Sequence, residues 1–542
     1  MTTYYVSGTG NDRNSGLSQG GAFATLQRAG DLVLPGDNVY IMNGTYTSIY
    51  ANILSIVNKQ GTANAPITFA ALPGQTPVLQ ANGKNWNAIS ITGSTYIKIQ
   101  GLKLVGNRDN ITLAYAQQQK NNLSNPATSG NGISADVSSN NPNQHSSHIT
   151  ISNNNVSNFP GGGIATLSAD YITVQNNIVS GNAWYSPYGT QGISMLRPWN
   201  SDSNTTGYKI IIQGNTVFNN QSLIPWSAVG KITEGHGIML DSASDGNYIG
   251  KVLITNNFAY NNGGAGIQVF KGENPVDVVN NTLYQNSQVI ANGELFLNSA
   301  KNVQVYNNIL YGNQGEFLIL NNKSTNLTID NNLADKGVFN AIGAGNILNQ
   351  DPLFVNPTNG NFSLQPGSPA INAGSNAFNS ITGDGTGTAS VNIGAYQLPT
   401  SKSQVLNGTS NTVNSSTTVN TTNTVNSSTT VNTTLDNNLI NNTFPINNIT
   451  IPTFNLNNFQ LLNQSSLVGT LPTSPASLTS YGILLLAILA RNIFRAFLKG
   501  YFLMQCEKPE SRFYKALKFV VRNPGKSPTE PGQRHLNIDE PE

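Results

Sequence analysis

From about Ser147 to Asn332 the chain repeats a short segment in which apolar residues occupy every second position. Each segment is followed by Asn-Asn or Gly-Asn, a small apolar pair, and then a stretch that usually contains a Gly-Ile step. The repeats read HITISNNNVSNFPGGGIATL, YITVQNNIVSGN with GTQGISML, KIIIQGNTVFNN with EGHGIML, KVLITNNFAYNNGGAGIQVF, PVDVVNNTLYQN, KNVQVYNNILYGN and NLTIDNNLAD. A period of two predicts β-strands, and the recurrence predicts a stack of coils.

A strand this short cannot bury its apolar side alone, so each coil must stack on its neighbours. Stacking at about 4.8 Å pairs each strand in parallel with the equivalent strand of the next coil and aligns like residues into ladders. The Asn-Asn positions then predict an asparagine ladder, because Asn tolerates left-handed backbone geometry and its amide can bond the next turn. The predicted fold is all-β, a right-handed parallel β-helix (a solenoid).

Two other repeat folds fit the pattern less well. A β-propeller needs four antiparallel strands per blade joined by hairpins, and Asn-Gly hairpin loops do not recur in this chain. Leucine-rich repeats need Leu at a fixed spacing, which the chain lacks. The β-helix therefore explains the pattern best.

The two ends of such a stack are exposed sheet edges that need a cover. Near the N-terminus, Phe23, Leu26 and Val33 are spaced so that a short amphipathic helix can lie across the first coil. At the other end, residues from about 350 to 398 form a candidate closing segment. The β-helix is therefore predicted to span residues 1–398.

Beyond residue 398 the composition changes sharply. Residues 399–476 are a low-complexity stretch of Asn, Ser and Thr, which predicts a disordered linker or stalk. Residues 477–504 contain the apolar run SYGILLLAILA, which predicts a short C-terminal helix and a candidate membrane anchor. The run is shorter than a spanning helix needs, and Arg491, Arg495 and Lys499 interrupt its continuation. Residues 505–542 form a charged tail.

The composition narrows the function. Only 10% of the residues are charged and the formal net charge is +2, so the chain has no basic field that would attract nucleic acid. The single cysteine, Cys506, excludes an internal disulfide framework. The first residues do not read as an ordinary signal peptide. We nevertheless expect a monomer that lies outside the cell or at its surface and meets a polysaccharide there.

Two parts of the chain resemble a known family. The opening YYVSGTGNDRNSG, with FATLQRAGDLVLPGDNVYIMNGTY, resembles the start of secreted right-handed β-helix proteins of the pectate-lyase-like group, especially polysaccharide lyase family nine. The segment DPLFVNPTNGNFSLQPGSPAINAG, with NIGAYQ, resembles the closing domain called choice-of-anchor Q. Together these resemblances cover about residues 1–400. They imply the β-helix fold, a polysaccharide partner and, for the lyases, calcium as cofactor.

The chain departs from the family at its catalytic turns. The family's lyases remove a proton with a Lys in an Asn-Gly-Phe-Lys turn and hold calcium with an Asp-Asp-Gly-Phe-Asp turn on an adjacent coil. The nearest counterparts in this chain are the segments Gly264–Gln268 (GAGIQ) and Gly293–Leu295 (GEL). Neither the base nor the calcium ligands transfer to these positions, so a lyase mechanism would need a rearranged site.

Because equivalent positions stack, the coils can be aligned on the Gly-Ile step. The predicted inward ladder consists of Ile133, Ile164, Ile193, Ile238 and Ile267. The residues three positions later are Asp136, Leu167, Leu196, Asp241 and Phe270. The residues four positions later are Val137, Ser168, Arg197, Ser242 and Lys271. In this register Arg197 and Lys271 flank the Asp241-Ser242 coil, each roughly 5 Å from it by the strand spacing.

This grouping fits an elimination reaction at a uronate residue. Such a reaction needs a base for the proton next to the carboxylate, and a metal or cation that stabilises the charge developing on the carboxylate. We predict Lys271 as the base and Arg197 as the carboxylate clamp, with Asp241 between them. His236 is an alternative base. The same cations around an aspartate also fit an ordinary ladder of surface ion pairs.

Three further groups are candidate site residues. Oxygen ligands near one turn predict a calcium site made of Asp241, Asp245 and Glu234, although solvated loop carboxylates are the commoner case. Hydrolysis needs two carboxylates roughly 5 to 9 Å apart, for which Asp136, Asp241 and Asp245 are the candidates. Aromatic residues in the long insertions predict either a sugar-stacking wall or a shield for the loops' own apolar surface. They are Trp184, Tyr185, Tyr188, Trp199 and Trp226.

Two functions remain open at this point. The first is a carbohydrate-active enzyme, with pectate-lyase-like elimination on uronate polymers as the expected reaction and hydrolysis as the other. The second is a noncatalytic surface protein that binds glycans or other cells, held away from the cell by the Asn- and Thr-rich linker. Product formation distinguishes the two, because binding alone leaves no new chain ends.

Overall fold

A computed structural model describes residues 1–138, 140–242, 247–340, 343–378 and 391–395. The predicted linker (399–476), membrane-anchor helix (477–504) and charged tail (505–542) lie outside these residues. Most of the described chain forms three long parallel sheets, here called sheets A, B and C, whose strands are numbered in chain order.

Sheets A and B each contain eleven strands and sheet C contains nine. Sheet A consists of β1 (Thr3–Val6), β2 (Asn38–Ile41), β5 (Ile67–Ala71), β8 (Ile97–Gln100), β11 (Ser147–Ser152), β14 (Asp170–Gln175), β17 (Tyr208–Gln213), β20 (Lys251–Thr255), β23 (Val276–Val279), β26 (Lys301–Tyr306) and β29 (Thr325–Asp330). Sheet B consists of β3 (Thr45–Tyr46), β6 (Val78–Gln80), β9 (Lys103–Val105), β12 (Asn155–Ser157), β15 (Ile178–Ser180), β18 (Thr216–Phe218), β21 (Phe258–Tyr260), β24 (Thr282–Tyr284), β27 (Ile309–Tyr311), β30 (Leu333–Asp335) and β31 (Ile347–Leu348). Sheet C consists of β4 (Asn52–Val57), β7 (Asn87–Thr92), β10 (Asn131–Asp136), β13 (Ile164–Leu167), β16 (Ile193–Leu196), β19 (Ile238–Asp241), β22 (Ile267–Phe270), β25 (Leu295–Asn298) and β28 (Ile319–Asn322).

A few short elements complete the described chain. The α-helices are α1 (Leu26–Leu32), α2 (Leu113–Gln118) and α3 (Pro126–Ser129). Single 3₁₀ turns occupy Arg108–Asn110, Pro357–Asn359 and Asn376–Phe378. Strands β32 (Phe354–Asn356) and β33 (Asn361–Leu364) form an antiparallel pair.

The chain winds through the sheets in the order A, B, C, and the strand order of each sheet follows the chain, so the predicted parallel β-helix is confirmed. Alternate side chains point into the coil and form one continuous apolar core. Ile149 and Ile151 of β11, for example, are completely buried, whereas Thr150 between them is not. The period of two in the sequence therefore corresponds to the alternation of inward and outward side chains along each strand.

The predicted asparagine ladder is present, and there are two of them. The first runs between sheets A and B through Asn154, Asn177, Asn215, Asn257, Asn281, Asn308, Asn332 and Asn346. The second runs after sheet B through Asn182, Asn220, Asn262 and Asn286, and ends on the carboxylate of Glu294. Each buried amide bonds the next coil, so the turns need no water.

The two residues of an Asn-Asn pair have different roles. The first, such as Asn256 with a φ of 54°, takes the left-handed conformation that turns the chain out of the strand. The second, such as Asn257, is buried and accepts the backbone N–H of Asn215 at 3.0 Å. Where Gly stands first, as Gly214 does before Asn215, it supplies the same turn.

The predicted N-terminal cap is confirmed. Helix α1 begins after Thr25, whose side chain accepts the N–H of Arg28 at 3.2 Å, and it packs against β1 and β4. Phe23, Leu26 and Val33 are each 1% exposed and join the core. Among the described residues, none of the helices is long and apolar enough to cross a membrane.

The segment predicted to close the far end lies instead, where it is described, along the outer side of sheet B. Phe354 and Phe362 of the antiparallel pair form an apolar cluster with Tyr284 and Ile309 of sheet B. Backbone bonds such as Gly394 N–H to the carbonyl of Asn307, at 2.7 Å, fix the segment there. The segment covers outward apolar side chains of sheet B, whereas the sequence predicted that it would cover the open end of the stack.

Candidate functional site

The outward face of sheet C lies between several long loops of the described coils. Segments 106–130, 181–192 and 219–237 enter its strands from sheet B, and segment 197–207 and the described residues 242 and 247–250 lie between sheet C and sheet A. In β19, Ile238 and Leu240 point into the core, so Met239 and Asp241 point outward. Met239 is 5% exposed, whereas Asp241 at the end of the strand is more accessible. The face therefore opens most at the carboxyl ends of its strands.

The predicted register of these coils is confirmed. Ile133, Ile164, Ile193, Ile238 and Ile267 are paired in succession on neighbouring strands. Asp241 is paired with Leu196 on one side and Phe270 on the other. The next position is a left-handed turn, with φ of 46° at Arg197 and 53° at Lys271. The backbone N–H at this turn position donates to a carbonyl of the neighbouring coil. The Arg197 N–H, for example, donates to the Asp241 carbonyl at 2.7 Å.

This turn position holds a row of three cations that we call the cation row. Arg197 follows β16, Lys271 follows β22 and Lys323 follows β28, with Ser242 and Ser299 on the coils between them. Successive cations therefore lie on every second coil, roughly 10 Å apart by the strand spacing. All three are exposed.

The cation row is not part of an ion-pair ladder. No carboxylate of the described residues lies within ion-pair distance of Arg197, Lys271 or Lys323. Lys251 and Lys301 of sheet A, by contrast, are paired with Asp277 and Glu273. The ladder of ion pairs considered for Arg197 and Lys271 is therefore not formed among these residues. Three accessible cations in a line are available to an external anion.

Sequence reasoning missed Lys323 because the coils had been aligned on the Gly-Ile step. Strand β25 begins after Glu294 and β28 begins after Leu318, so neither has that step. The ladder asparagines Asn281, Asn308 and Asn332 continue without a break through these coils. An alignment on the Asn-Asn pairs would have found Lys323.

The carboxylates proposed for hydrolysis are not all close together. Asp136 lies on β10, three strands from β19, so its backbone is about 14 Å from that of Asp241, beyond the range of a hydrolytic pair. Burial raises the pKa of Asp136 to about 6. Asp245 lies outside the described residues. Asp136 and Asp241 therefore do not form the predicted pair.

The described residues do not assemble the predicted calcium site. They contain no group of three His, Cys, Asp or Glu side chains that could hold a metal ion. Glu234, one predicted ligand, accepts hydrogen bonds from Gln191 and Thr233. With Asp245 undescribed, calcium binding stays a prediction, and no step of the chemistry is derived through it.

Glu234 belongs to a compact polar cluster at the start of β19. Gln191 Nε2 donates to Glu234 Oε2, and Gln191 Oε1 accepts the N–H groups of Gly235 at 3.0 Å and His236 at 2.8 Å. One Gln side chain therefore fixes both the carboxyl group and the backbone that follows it. Burial raises the pKa of Glu234 to about 7, with a smaller contribution from the charge of Asp241.

His236 is completely buried, so it does not reach a polymer at the surface. Its Nδ1 accepts the N–H of Ala265 at 2.8 Å, and burial lowers its pKa to about 4. The neutral ring must then carry its proton on Nε2, which lies 3.8 Å from Glu234 Oε2. This burial contradicts a role for His236 as the base that contacts substrate.

Two of the predicted sugar-stacking residues pack inside the loops. Tyr185 is 8% exposed and forms a small apolar cluster with Ala116 and Ile224, which joins three loops beside sheet C. Trp184 packs on the same cluster and donates from Nε1 to the carbonyl of Asn219 at 2.9 Å. These two rings therefore shield the apolar surface of the loops, which was the alternative to a sugar-stacking wall.

The other three aromatic rings are more accessible. Tyr188 is 43% exposed and its hydroxyl donates to the carbonyl of Leu123. Trp199 stacks on His145 with ring centroids 4.1 Å apart. Trp226 is half-buried, and its Cγ would lie 2.9 Å from a Cβ atom built at Gly189. Sugar binding by these residues stays a prediction.

A buried ion pair holds the loops that leave sheet C. Lys209 Nζ lies 2.8 Å from Asp170 Oδ2, and neither side chain is exposed. Asp170 also accepts the N–H of Ser201 at 2.9 Å and the hydroxyl of Tyr248 at 2.8 Å, which belong to two successive loops. The pair therefore ties both loops to β14 and β17.

Comparison with known proteins places the chain in a family. The sequence pattern of Pel9A-like right-handed β-helix regions matches residues 4–308. The chain belongs to this family. The pattern covers the N-terminal cap, sheet C through β25 and the loops that surround Glu234, and it establishes the right-handed winding. No curated protein matches the chain.

Solved structures with a similar course of the chain include three carbohydrate-active enzymes. Pectate lyase Pel9A is 18% identical, with a TM-score of 0.46, and the match covers 73% of this chain and 96% of that one. A rhamnogalacturonan lyase is 15% identical, with a TM-score of 0.36 and coverage of 61% and 87%. A lacto-N-biosidase from Eubacterium ramulus is 14% identical, with a TM-score of 0.34 and coverage of 64% and 68%.

Proposed function

We propose that this protein binds an acidic polysaccharide along the carboxyl ends of the sheet C strands and cleaves it by elimination at a uronate residue. The main support is the cation row of Arg197, Lys271 and Lys323, which is exposed and has no carboxylate partner among the described residues. An extended polyanion that lies along the β-helix axis would meet these charges in succession. Such polymers occur outside cells and on their surfaces, so we propose that the protein lies outside the cell or at its surface.

In the proposed reaction Lys271 removes the proton from the carbon next to the uronate carboxylate, and Arg197 pairs with that carboxylate. The two side chains are long enough to converge above Ser242, which lies between them. The electrons of the C–H bond form the new C=C bond and the C–O bond to the leaving sugar breaks. The leaving oxygen keeps the electron pair of that bond and takes a proton from water. Cationic stabilisation of the carboxylate is what makes this proton removable.

The cation row can be tested by binding. Affinity electrophoresis of the full chain through gels that contain polygalacturonate, alginate or a neutral galactan should show retardation by an acidic polymer only. The triple variant Arg197→Ala, Lys271→Ala, Lys323→Ala should bind at least about tenfold more weakly, because each exposed charge contact contributes up to about 1 kcal/mol.

A charge-matched control is available on the other sheets. Lys98, Lys103 and Lys336 are exposed and lie on or after strands of sheets A and B. Their triple Ala variant has the same net charge as the test variant and should bind like the wild type. An equal loss in both triple variants would show that the protein binds through its overall charge and would refute the role of the row.

A further inference from the structure

A small cleft lies where the closing segment packs on the outer side of sheet B. Its volume is about 160 Å³, and its walls include Tyr284 and Tyr311 of sheet B and Asp351 of the closing segment. Pockets that hold a whole drug-sized ligand measure roughly 300–1,000 Å³. The cleft is therefore suited to a single functional group rather than to a length of polymer.

The two tyrosines of the cleft present unpaired hydroxyl groups. Tyr284 and Tyr311 are paired on neighbouring strands, and their rings are stacked with centroids 4.8 Å apart. Tyr284 is only 6% exposed, yet neither hydroxyl group forms a hydrogen bond with another described residue. The hydroxyl group of a buried tyrosine usually has a partner, so these two are available to a ligand in the cleft.

Asp351 lies close to both hydroxyl groups. Burial raises the pKa of Tyr284, and the charge of Asp351 raises this pKa further. Burial likewise raises the pKa of Tyr311 to about 12, with smaller contributions from the neighbouring phenol and from the charges of Asp351 and Asp335. One carboxylate oxygen, Asp351 Oδ1, accepts the N–H of Leu353 at 2.8 Å. The second oxygen of this carboxylate has no such bond and can accept a donor from a ligand.

No positive charge balances these carboxylates within the described part of the chain. Asp335 is 8% exposed and is paired with Tyr311 on the neighbouring strand. No described Lys, Arg or His lies within ion-pair distance of Asp335 or Asp351. None of the residues that line the cleft is basic. The cleft therefore has a negative potential that favours a cationic ligand.

The remaining walls define the kind of cation. Gln365 Nε2 donates to the carbonyl of Phe354 at 2.8 Å, so the amide oxygen of Gln365 is a further acceptor. Leu353, Phe354 and Pro357 add apolar surface. A primary ammonium group has three N–H donors and no acceptor, which matches several acceptor oxygens around one point. An alkyl stem matches the apolar part of the wall.

We propose that this cleft binds a primary alkylammonium group. Its N–H groups donate to the carboxylate of Asp351 and to the two phenol oxygens, and its alkyl stem lies against Leu353 and Pro357. A small amine and the side chain of Lys both carry this group. The site lies on sheet B, so it is separate from the cation row and does not depend on the proposed cleavage.

Ligand-observed NMR of the full chain, by saturation transfer at neutral pH, tests the proposal with butylammonium chloride. Butan-1-ol is the matched ligand, because it has nearly the same shape and lacks the charge. We expect saturable binding of the ammonium, and binding of the alcohol at least about tenfold more weakly. The peptide acetyl-Gly-Lys-Gly-amide, measured in parallel, shows whether the cleft takes the group from a Lys side chain as well as from a free amine.

The variant Asp351→Asn should weaken binding of butylammonium by at least about fivefold. The matched control is Asp31→Asn, because Asp31 is also an exposed aspartate that accepts one hydrogen bond, from Gln27. Its affinity should equal that of the wild type. Equal affinity of Asp351→Asn and the wild type, an alcohol bound as tightly as the ammonium, or no saturable binding of amine and peptide up to about 50 mM would overturn the proposal. The comparison of the two ligands on the wild type does not depend on the folding of a variant.

Discussion

Replacing Lys209 by Met should lower the free energy of unfolding by about 3–5 kcal/mol. Lys209 and Asp170 are both fully buried, and removing the cation leaves the carboxylate in the core without an opposite charge. The variant should also release the loop that contains Asp202, because Lys209 Nζ lies 2.9 Å from Asp202 Oδ1 and donates to the Asp202 carbonyl, so this loop should become more sensitive to proteolysis than the strands. Denaturant unfolding and limited proteolysis measure the two effects.

Two controls separate the buried charge from a general effect of losing a lysine. Lys301→Met removes an ion pair with Glu273 in which both side chains are at least half-exposed, and should cost less than about 1 kcal/mol. The double variant Asp170→Asn, Lys209→Met removes both charges and should be more stable than Lys209→Met alone. A double variant less stable than the single one would contradict the explanation by an uncompensated charge.

Replacing Asn215 by Ala should destabilise the fold by at least about 3 kcal/mol. Asn215 Oδ1 accepts the backbone N–H of Asn177 at 2.9 Å and its Nδ2 at 3.0 Å, and Asn215 Nδ2 donates to the carbonyl of Val174 at 2.9 Å. Ala leaves these buried groups without partners, and water does not reach them. The midpoint of denaturant unfolding measures the loss.

The exposed residue Asn219 provides the matched control. It has a φ of 55° and stands directly before the ladder residue Asn220, so it is the turn member of an Asn pair. Gly adopts this conformation readily, and Asn219→Gly should change the stability by only a few tenths of a kcal/mol. Similar losses for Asn215→Ala and Asn219→Gly would show that the ladder bonds are not what stabilises the stack.

The fold could be predicted because each type of residue in the repeat has a single structural role. Alternating Ile and Val positions mark the inward side of each strand, and Asn-Asn marks the turn and the ladder. The same regularity predicted the register in which Asp241 lies between Leu196 and Phe270, since every coil advances by one strand spacing. What repeats in the sequence could therefore be placed in space.

The candidate site could be predicted only in part, because its other residues lie where the repeat is interrupted. Glu234 and Gln191 are in loops of different lengths, and their contact depends on how those loops fold back. The burial of His236 depends on the backbone of the next coil at Ala265, which no pattern within one coil reveals. One signal was available, since Gln191 and His236 stand two residues before the paired Ile193 and Ile238.

The aromatic residues and the closing segment show the same limit. Tyr185 and Tyr188 are three residues apart in one loop, yet one is buried against Ala116 and the other is exposed. Phe354 and Phe362 pack on sheet B, whereas the sequence suggested only a cover for the open end. An apolar residue in an irregular segment predicts that its side chain will be buried, but it does not predict which part of the fold will cover it.

The most direct test of the proposed function is product formation. The purified chain would be incubated with polygalacturonate, alginate and a neutral galactan, with and without calcium, while the absorbance of unsaturated sugar ends is followed. We predict new unsaturated ends from an acidic polymer, and a loss of at least about 10²-fold in Lys271→Ala but not in the control Lys98→Ala. Retained binding of the acidic polymer with no new ends from any substrate would contradict the enzymatic account and would identify the protein as a noncatalytic glycan-binding β-helix.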